Sequence, residues 1–191
     1  ILLPTAEGLR RTIQLLRDAL GIVGDNELIY AALGYANFEY FRFVSKVDLS
    51  YLRHAGECAE KIFAMKPGSP FGDTLKGLVY ILRGDIQEAS RALQRAVNAD
   101  PNNEDPYLYL AFAYLYAGRR DKALAVISSL LQVDPLTPMN YMCEGFIHIY
   151  HGDPEQGLLS VRRGYTLERI NPLMTWLMLN ALILCHCEEE A

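Results

Sequence analysis

The sequence has no surplus of positive charge. Its 18 Lys and Arg stand against 23 Asp and Glu, a formal net charge of −5. Binding to a phosphate backbone needs basic side chains in excess on one face, so no nucleic acid partner is expected. The doublets Arg10-Arg11, Arg119-Arg120 and Arg162-Arg163 are isolated and read as solvated helix surface. Nor does any apolar run reach the roughly 20 residues that span a bilayer. The longest, Leu173 to Cys187, is broken by Asn180 and His186, so no membrane insertion is expected. Cysteine is sparse. The four at 58, 143, 185 and 187 have no framework spacing and sit in helical patterns, as unpaired thiols of a reducing compartment do. A cytoplasmic location is the expectation. There is no signal peptide or lipidation motif, and the first residue is Ile1 rather than Met; the chain reads as a piece of a longer one.

Signs of catalysis are missing as well. Gly68 and Gly72 lack the strand, loop, helix and lysine of a phosphate-binding loop. Cys185-His186-Cys187 has metal-ligating residue types, but residues two apart on a helix point about 200° away from one another and cannot close on one ion. His148 and His151 share a helix face, yet His148 falls where related segments carry Tyr80 and Tyr114, and His151 adjoins a turn glycine. The sequence therefore predicts no enzyme, no metal and no cofactor.

What is present is a period. With 51% hydrophobic and 21% charged residues the composition is that of a globular chain. Pro67, Pro101 and Pro135 recur at 34-residue steps, as do Gly84, Gly118 and Gly152, and Ala55, Ala89 and Ala123. Gly77, Ala111 and Gly145 keep the same step, and so do Tyr80 and Tyr114. Each unit reads as two helices. The first is apolar at helical spacing, as in Tyr107, Leu110, Ala111 and Tyr114, and stops at a glycine suited to a left-handed C-cap. The second carries Ala123, Leu124, Ile127, Leu130 and Leu131 on one side and ends at Asp134-Pro135. Small residues at the eighth and twentieth positions fall where the two helices cross.

This pattern, with small residues at positions 8 and 20 and proline at 32, resembles the tetratricopeptide-repeat (TPR) family over nearly the whole chain. The resemblance implies an all-α, right-handed solenoid of about ten helices: repeats at 27–69, 70–103, 104–137 and 138–171, with half units at 1–26 and 172–191. Three departures stand out. The second helix of the first repeat arrives nine residues late, so residues 43–49 must lengthen the first helix or form a loop, with Asp48 or Ser50 as N-cap. Gly157 and Gly164 predict that the second helix of the 138–171 repeat is the least stable. Arg169 replaces the expected proline, leaving that junction to Asn171-Pro172.

In the TPR family the first helices line a concave face that takes a peptide, and one subclass captures C-terminal carboxylates there with Lys, Arg and Asn. This chain instead places Tyr35, Leu108, Tyr109, Phe112, Tyr116, Met142, Phe146, Tyr150 and Trp176 at such positions, together with Leu75 and Leu78. The resemblance implies a protein-interaction scaffold gripping an apolar or amphipathic segment of a protein or peptide partner. An alternative is a regulatory extension of a larger bacterial signalling protein, a kinase, cyclase or transcription regulator, with the groove filled intramolecularly; the Asp134-Pro135-Leu136-Thr137-Pro138 junction is similar to those of such proteins. The apolar run after Pro172 adds an expectation of self-association through the C-terminal helix.

Overall fold

A computed structural model describes residues 5–185. Among them are ten α-helices and no strand. The helices are α1 (Ala6–Val23), α2 (Glu27–Phe43), α3 (Leu49–Met65), α4 (Pro70–Arg83), α5 (Ile86–Ala99), α6 (Asp105–Tyr116), α7 (Arg120–Val133), α8 (Pro138–Tyr150), α9 (Pro154–Leu167) and α10 (Pro172–Leu184). No described helix is long and apolar enough to cross a membrane. The chain packs as two units, one ending at Tyr109 and the next beginning at Leu110, a division that falls inside α6.

The 34-residue period has a direct hydrogen-bonding meaning. Gly84, Gly118 and Gly152 adopt φ of 83°, 70° and 84°, the left-handed conformation that an L side chain resists. This turn lets the N–H groups of Asp85, Arg119 and Asp153 reach back to the carbonyls of Tyr80, Tyr114 and His148, at 2.9, 2.8 and 3.0 Å. Helices α4, α6 and α8 thereby close their last turns the same way. The junction prolines have a repeated partner too: the Tyr107 hydroxyl donates to the Pro101 carbonyl at 2.9 Å, and that of Tyr141 to Pro135 at 3.1 Å. Helix starts are capped by side-chain oxygens of Thr5, Asn26, Asp48, Ser69, Asp153 and Asn171. Proline stands in the first turn of α4, α8, α9 and α10, where no N–H is missed.

In the N-terminal unit each helix packs on the next, and α2 also packs on α4. Gly34 lets the Leu75 side chain seat between these two first helices: a Cβ on it would come within 2.5 Å of Leu75 Cδ1. Leu75 and Leu78 are wholly buried. They are core residues of a junction between first helices. The Ser69 hydroxyl donates to Glu27 Oε1 at 2.5 Å, tying the start of α4 to that of α2. Arg95 donates through Nε and Nη2 to the buried Asp73 Oδ1, at 2.9 and 2.6 Å, joining α5 to α4. The late residues of the first repeat are split between both predicted solutions: α2 runs on to Phe43, and residues 44–48 connect to α3, where the Asp48 carboxylate caps the Ser50 N–H at 3.0 Å.

In the C-terminal unit α8 and α9 form the tightest crossing. A Cβ on Gly145 would lie 2.6 Å from the Gly157 carbonyl oxygen, and one on Gly157 would lie 2.7 Å from that of Gly145. Gly164 meets the Pro138 carbonyl in the same manner, at 2.7 Å. The glycines that weaken α9 by propensity are thus the points where it touches α8, backbone to backbone. Helix α10 packs on α9 and α8, burying Met174, Ala181 and Leu182. Where a proline is missing at Arg169, the Asn171 side chain caps Leu173 N–H at 3.0 Å and bonds Glu168 Oε2 at 3.0 Å. Gly157→Ala must push two backbones apart, so its expected effect is a loss of about 1–3 kcal/mol. Gly56→Ala, mid-helix in α3 with nothing within 4 Å of the new methyl, should gain about 0.4–1 kcal/mol. Urea unfolding of the two variants measures the contrast.

Candidate functional site

The residues singled out from sequence fall on both units, and the two surfaces differ in chemistry. In the C-terminal unit, α6, α8 and α10 surround a cavity of about 340 Å³. Helix α6 contributes Phe112 and Leu115. Helix α8 contributes Met139, Met142, Cys143, Phe146, Ile147 and Tyr150, and α10 contributes Trp176, Leu177 and Asn180. Five predicted residues meet here: Phe112, Met142, Phe146, Tyr150 and Trp176. Tyr116 does not line the cavity but stacks on Phe112, ring centroids 6.5 Å apart, and the pair Phe146 and Tyr150 repeats that arrangement at 6.0 Å. These are i,i+4 neighbours on one helix face. Met142 is buried and forms the floor, while Tyr150 at 68% exposure and Trp176 at 58% stand at the rim.

Asn180 is the single amide side chain of the lining, and it already donates to the Trp176 carbonyl at 2.7 Å. The cavity thiol is inert, because burial pushes Cys143 up to about 12. Sequence reasoning does not single out Leu115, Met139 or Ile147, which are aliphatic members of the same helices and carry no signal beyond their apolar character.

In the N-terminal unit the predicted residues form a polar cluster. The Tyr35 hydroxyl oxygen is buried and bonds to nothing in the protein, although the ring edge keeps some exposure. Arg42 Nη2 donates to Glu39 Oε2 at 3.1 Å, and its guanidinium lies over the rings of Phe38 and Phe43 at 5.5 and 4.4 Å. The Phe38 ring in turn meets Tyr109 edge-on, at 5.9 Å and 89°. Burial raises the Glu39 carboxyl above its ordinary range despite the Arg42 charge. Burial pushes the Tyr109 hydroxyl to about 12, Arg42 opposing and Glu39 and Asp105 reinforcing the shift. Tyr35 moves well above its usual value through burial first, then Asp105, Tyr109 and Glu39. Leu108, half-buried beside Tyr109, adds no polar group. Arg42 is a member of this cluster that the sequence reading does not pick out.

The two histidines of the 148–151 pair do not act together. His148 Nδ1 lies 3.3 Å from Asp153 Oδ2, a carboxylate that sequence spacing does not suggest, while His151 is exposed. Among the described residues no three of His, Cys, Asp or Glu converge as metal ligands; His186 and Cys187 lie outside the described residues.

Residues 80–139 match the sequence profile of the tetratricopeptide repeat. Over those residues the chain carries the tetratricopeptide-repeat pattern. Solved structures of TPR proteins share the fold along nearly its whole length. TTC0263, a thermophilic TPR protein in Thermus thermophilus, aligns with 93% of this chain and 92% of its own at 16% identity and a TM-score of 0.79. YrrB, a TPR protein with an unusual peptide-binding site, aligns over 94% of this chain and 86% of its own at 19% identity, TM-score 0.61. MamA from Desulfovibrio magneticus RS-1 aligns over 86% and 88% at 17% identity, TM-score 0.63. At such identities the likeness concerns the fold. No curated protein matches the sequence at a significant level.

The buried thiols offer a direct check on this packing. Burial also raises Cys58, to about 11, so iodoacetamide at about pH 8, near the ordinary thiol value, should spare Cys58 and Cys143 in the folded protein. Both should alkylate in urea. Peptide mass mapping reads the difference, and ready labelling of Cys143 in the native state would contradict the closed floor of the cavity.

Proposed function

We propose that this TPR chain is a non-catalytic protein-interaction scaffold whose C-terminal unit grips an apolar anchor on an amphipathic segment of a protein partner. The observation that carries the reading is the cavity between α6, α8 and α10, apolar on all sides but for Asn180 and rimmed by exposed Tyr150 and Trp176. Large aromatic side chains at the mouth of a water-excluding pocket are the usual anchors of a binding surface. A reaction would need a nucleophile with a base or a titratable pair, and the one thiol in the lining is held protonated. That one TPR protein of this fold has a peptide-binding site supports a peptide as the occupant.

Selection from a displayed peptide library on the chain should enrich helical segments with one or more large apolar residues. Tyr150→Ala with Trp176→Ala removes exposed side chains, so the fold survives, and binding should fall by about 2 kcal/mol or more, roughly 30-fold. Ile170→Ser, at an equally apolar residue with 97% exposure outside the cavity, is the control for general stickiness and should leave binding unchanged. Affinity should vary little between about 0.1 and 1 M salt, which screens exposed charges but not apolar contact. Enrichment of acidic C-termini lost in high salt would overturn the reading. If a second copy of the chain is the occupant, sedimentation will show a dimer that the same double substitution dissolves.

A further inference from the structure

We propose that the cavity between α6, α8 and α10 is a pocket for a tryptophan side chain on a helical partner segment, with the carboxamide oxygen of Asn180 accepting a hydrogen bond from the indole N–H. This rests on the reading of that cavity as an anchor site, and it narrows the anchor from any large apolar residue to one.

Inside the rim, a single carboxamide stands in an otherwise apolar wall. A backbone carbonyl can only accept, so the 2.7 Å contact from Asn180 to the Trp176 carbonyl fixes which branch of the carboxamide is nitrogen and which is oxygen. The nitrogen is committed to its own helix. The oxygen, Oδ1, takes no hydrogen bond from the described residues and is open to solvent in the free protein. An occupant that displaces this solvent without offering a donor leaves the oxygen desolvated and unpaired, which weakens binding. The N–H groups of a helical segment are already bonded along its own backbone, so the donor has to sit on the anchor side chain. Lysine and arginine would bring an ionised donor into a wall that holds no charged residue. Tyrosine and tryptophan remain, each with a large apolar body and a polar tip.

Size separates these two. A cavity of about 150 Å³ takes up one benzene ring, whereas this one measures about 340 Å³, room for two fused rings. Indole is also a donor with no acceptor of its own, so seating it against one free oxygen leaves nothing on the ligand unpaired. A phenol brings lone pairs as well. The remaining wall suits a flat ring from both sides. Met139, Met142 and Cys143, at i, i+3 and i+4 on α8, bring polarizable sulfur, and Phe112 and Phe146 bring ring faces and edges.

The test uses the full chain and an alanine-based helical peptide, with Glu and Lys in equal number and one central anchor: tryptophan, naphthylalanine, tyrosine or leucine. Naphthylalanine has the two fused rings without the N–H. Binding is read by NMR from the methyl resonances of Met139 and Met142. The tryptophan peptide should bind about tenfold more tightly than the naphthylalanine peptide, because the latter leaves Oδ1 unpaired, and more tightly than the tyrosine and leucine peptides. In Asn180→Leu, with circular dichroism unchanged, tryptophan and naphthylalanine should bind alike. The peptide comparison on the unaltered chain does not depend on how that variant folds. Saturable shifts of equal affinity with tryptophan and naphthylalanine, tightest binding by tyrosine, or a tryptophan preference that survives Asn180→Leu would each overturn the indole pocket while leaving the anchor site standing. If none of the four peptides shifts the two methyl resonances, the anchor site falls and the indole pocket with it.

Discussion

Where α8 crosses α9, each backbone occupies the space that a Cβ on the other would need, with Gly145 and Gly157 face to face. Paired helices must approach this closely to exclude water between their apolar sides, and only small residues at the crossing allow it. Gly34 and Gly77 have the same effect by admitting the side chains of Leu75 and Leu93. The left-handed glycines at 84, 118 and 152 then matter because they turn each first helix sharply enough for its partner to return along it. Crossing and turn are set at a fixed number of residues from each other, and so a 34-residue period appears in the sequence at all.

The same repeat positions serve different ends in the two units. Leu75 and Leu78 are short and branched, and they fill the seam between α2 and α4 completely. In the C-terminal unit the equivalent helix faces carry Phe112, Phe146 and Trp176, whose flat rings do not interleave as leucines do. Phe112 and Phe146 stack instead along their own helices on Tyr116 and Tyr150. Space is left between the helices, and it becomes a cavity rather than a seam. An apolar stripe read from sequence cannot distinguish these outcomes, since both are apolar at the same spacing. Side-chain shape decides, and Met142, buried among the aromatics, shows how far a flexible residue goes toward closing the floor.

Periodicity makes the fold legible because a repeat writes its geometry several times, so that ten helices and their glycine turns can be placed from the sequence. Propensity alone is a weaker guide. Gly157 and Gly164 lower the helical preference of α9, yet they also set the contact with α8, an energetic gain that no single-helix scale contains. The polar cluster is least legible. Phe38 beside Arg42 lies on α2 and its ring partner Tyr109 on α6, with three helices between them in sequence. No spacing rule links them, and each looks like an ordinary member of its own helix.

Apolar burial, the contact proposed for the cavity, has its own signature in a partner. Apolar burial at the α6, α8 and α10 cavity is insensitive to salt and tolerant of sequence, since one large apolar side chain does much the work of another. A partner gripped by apolar contact alone would therefore bind broadly.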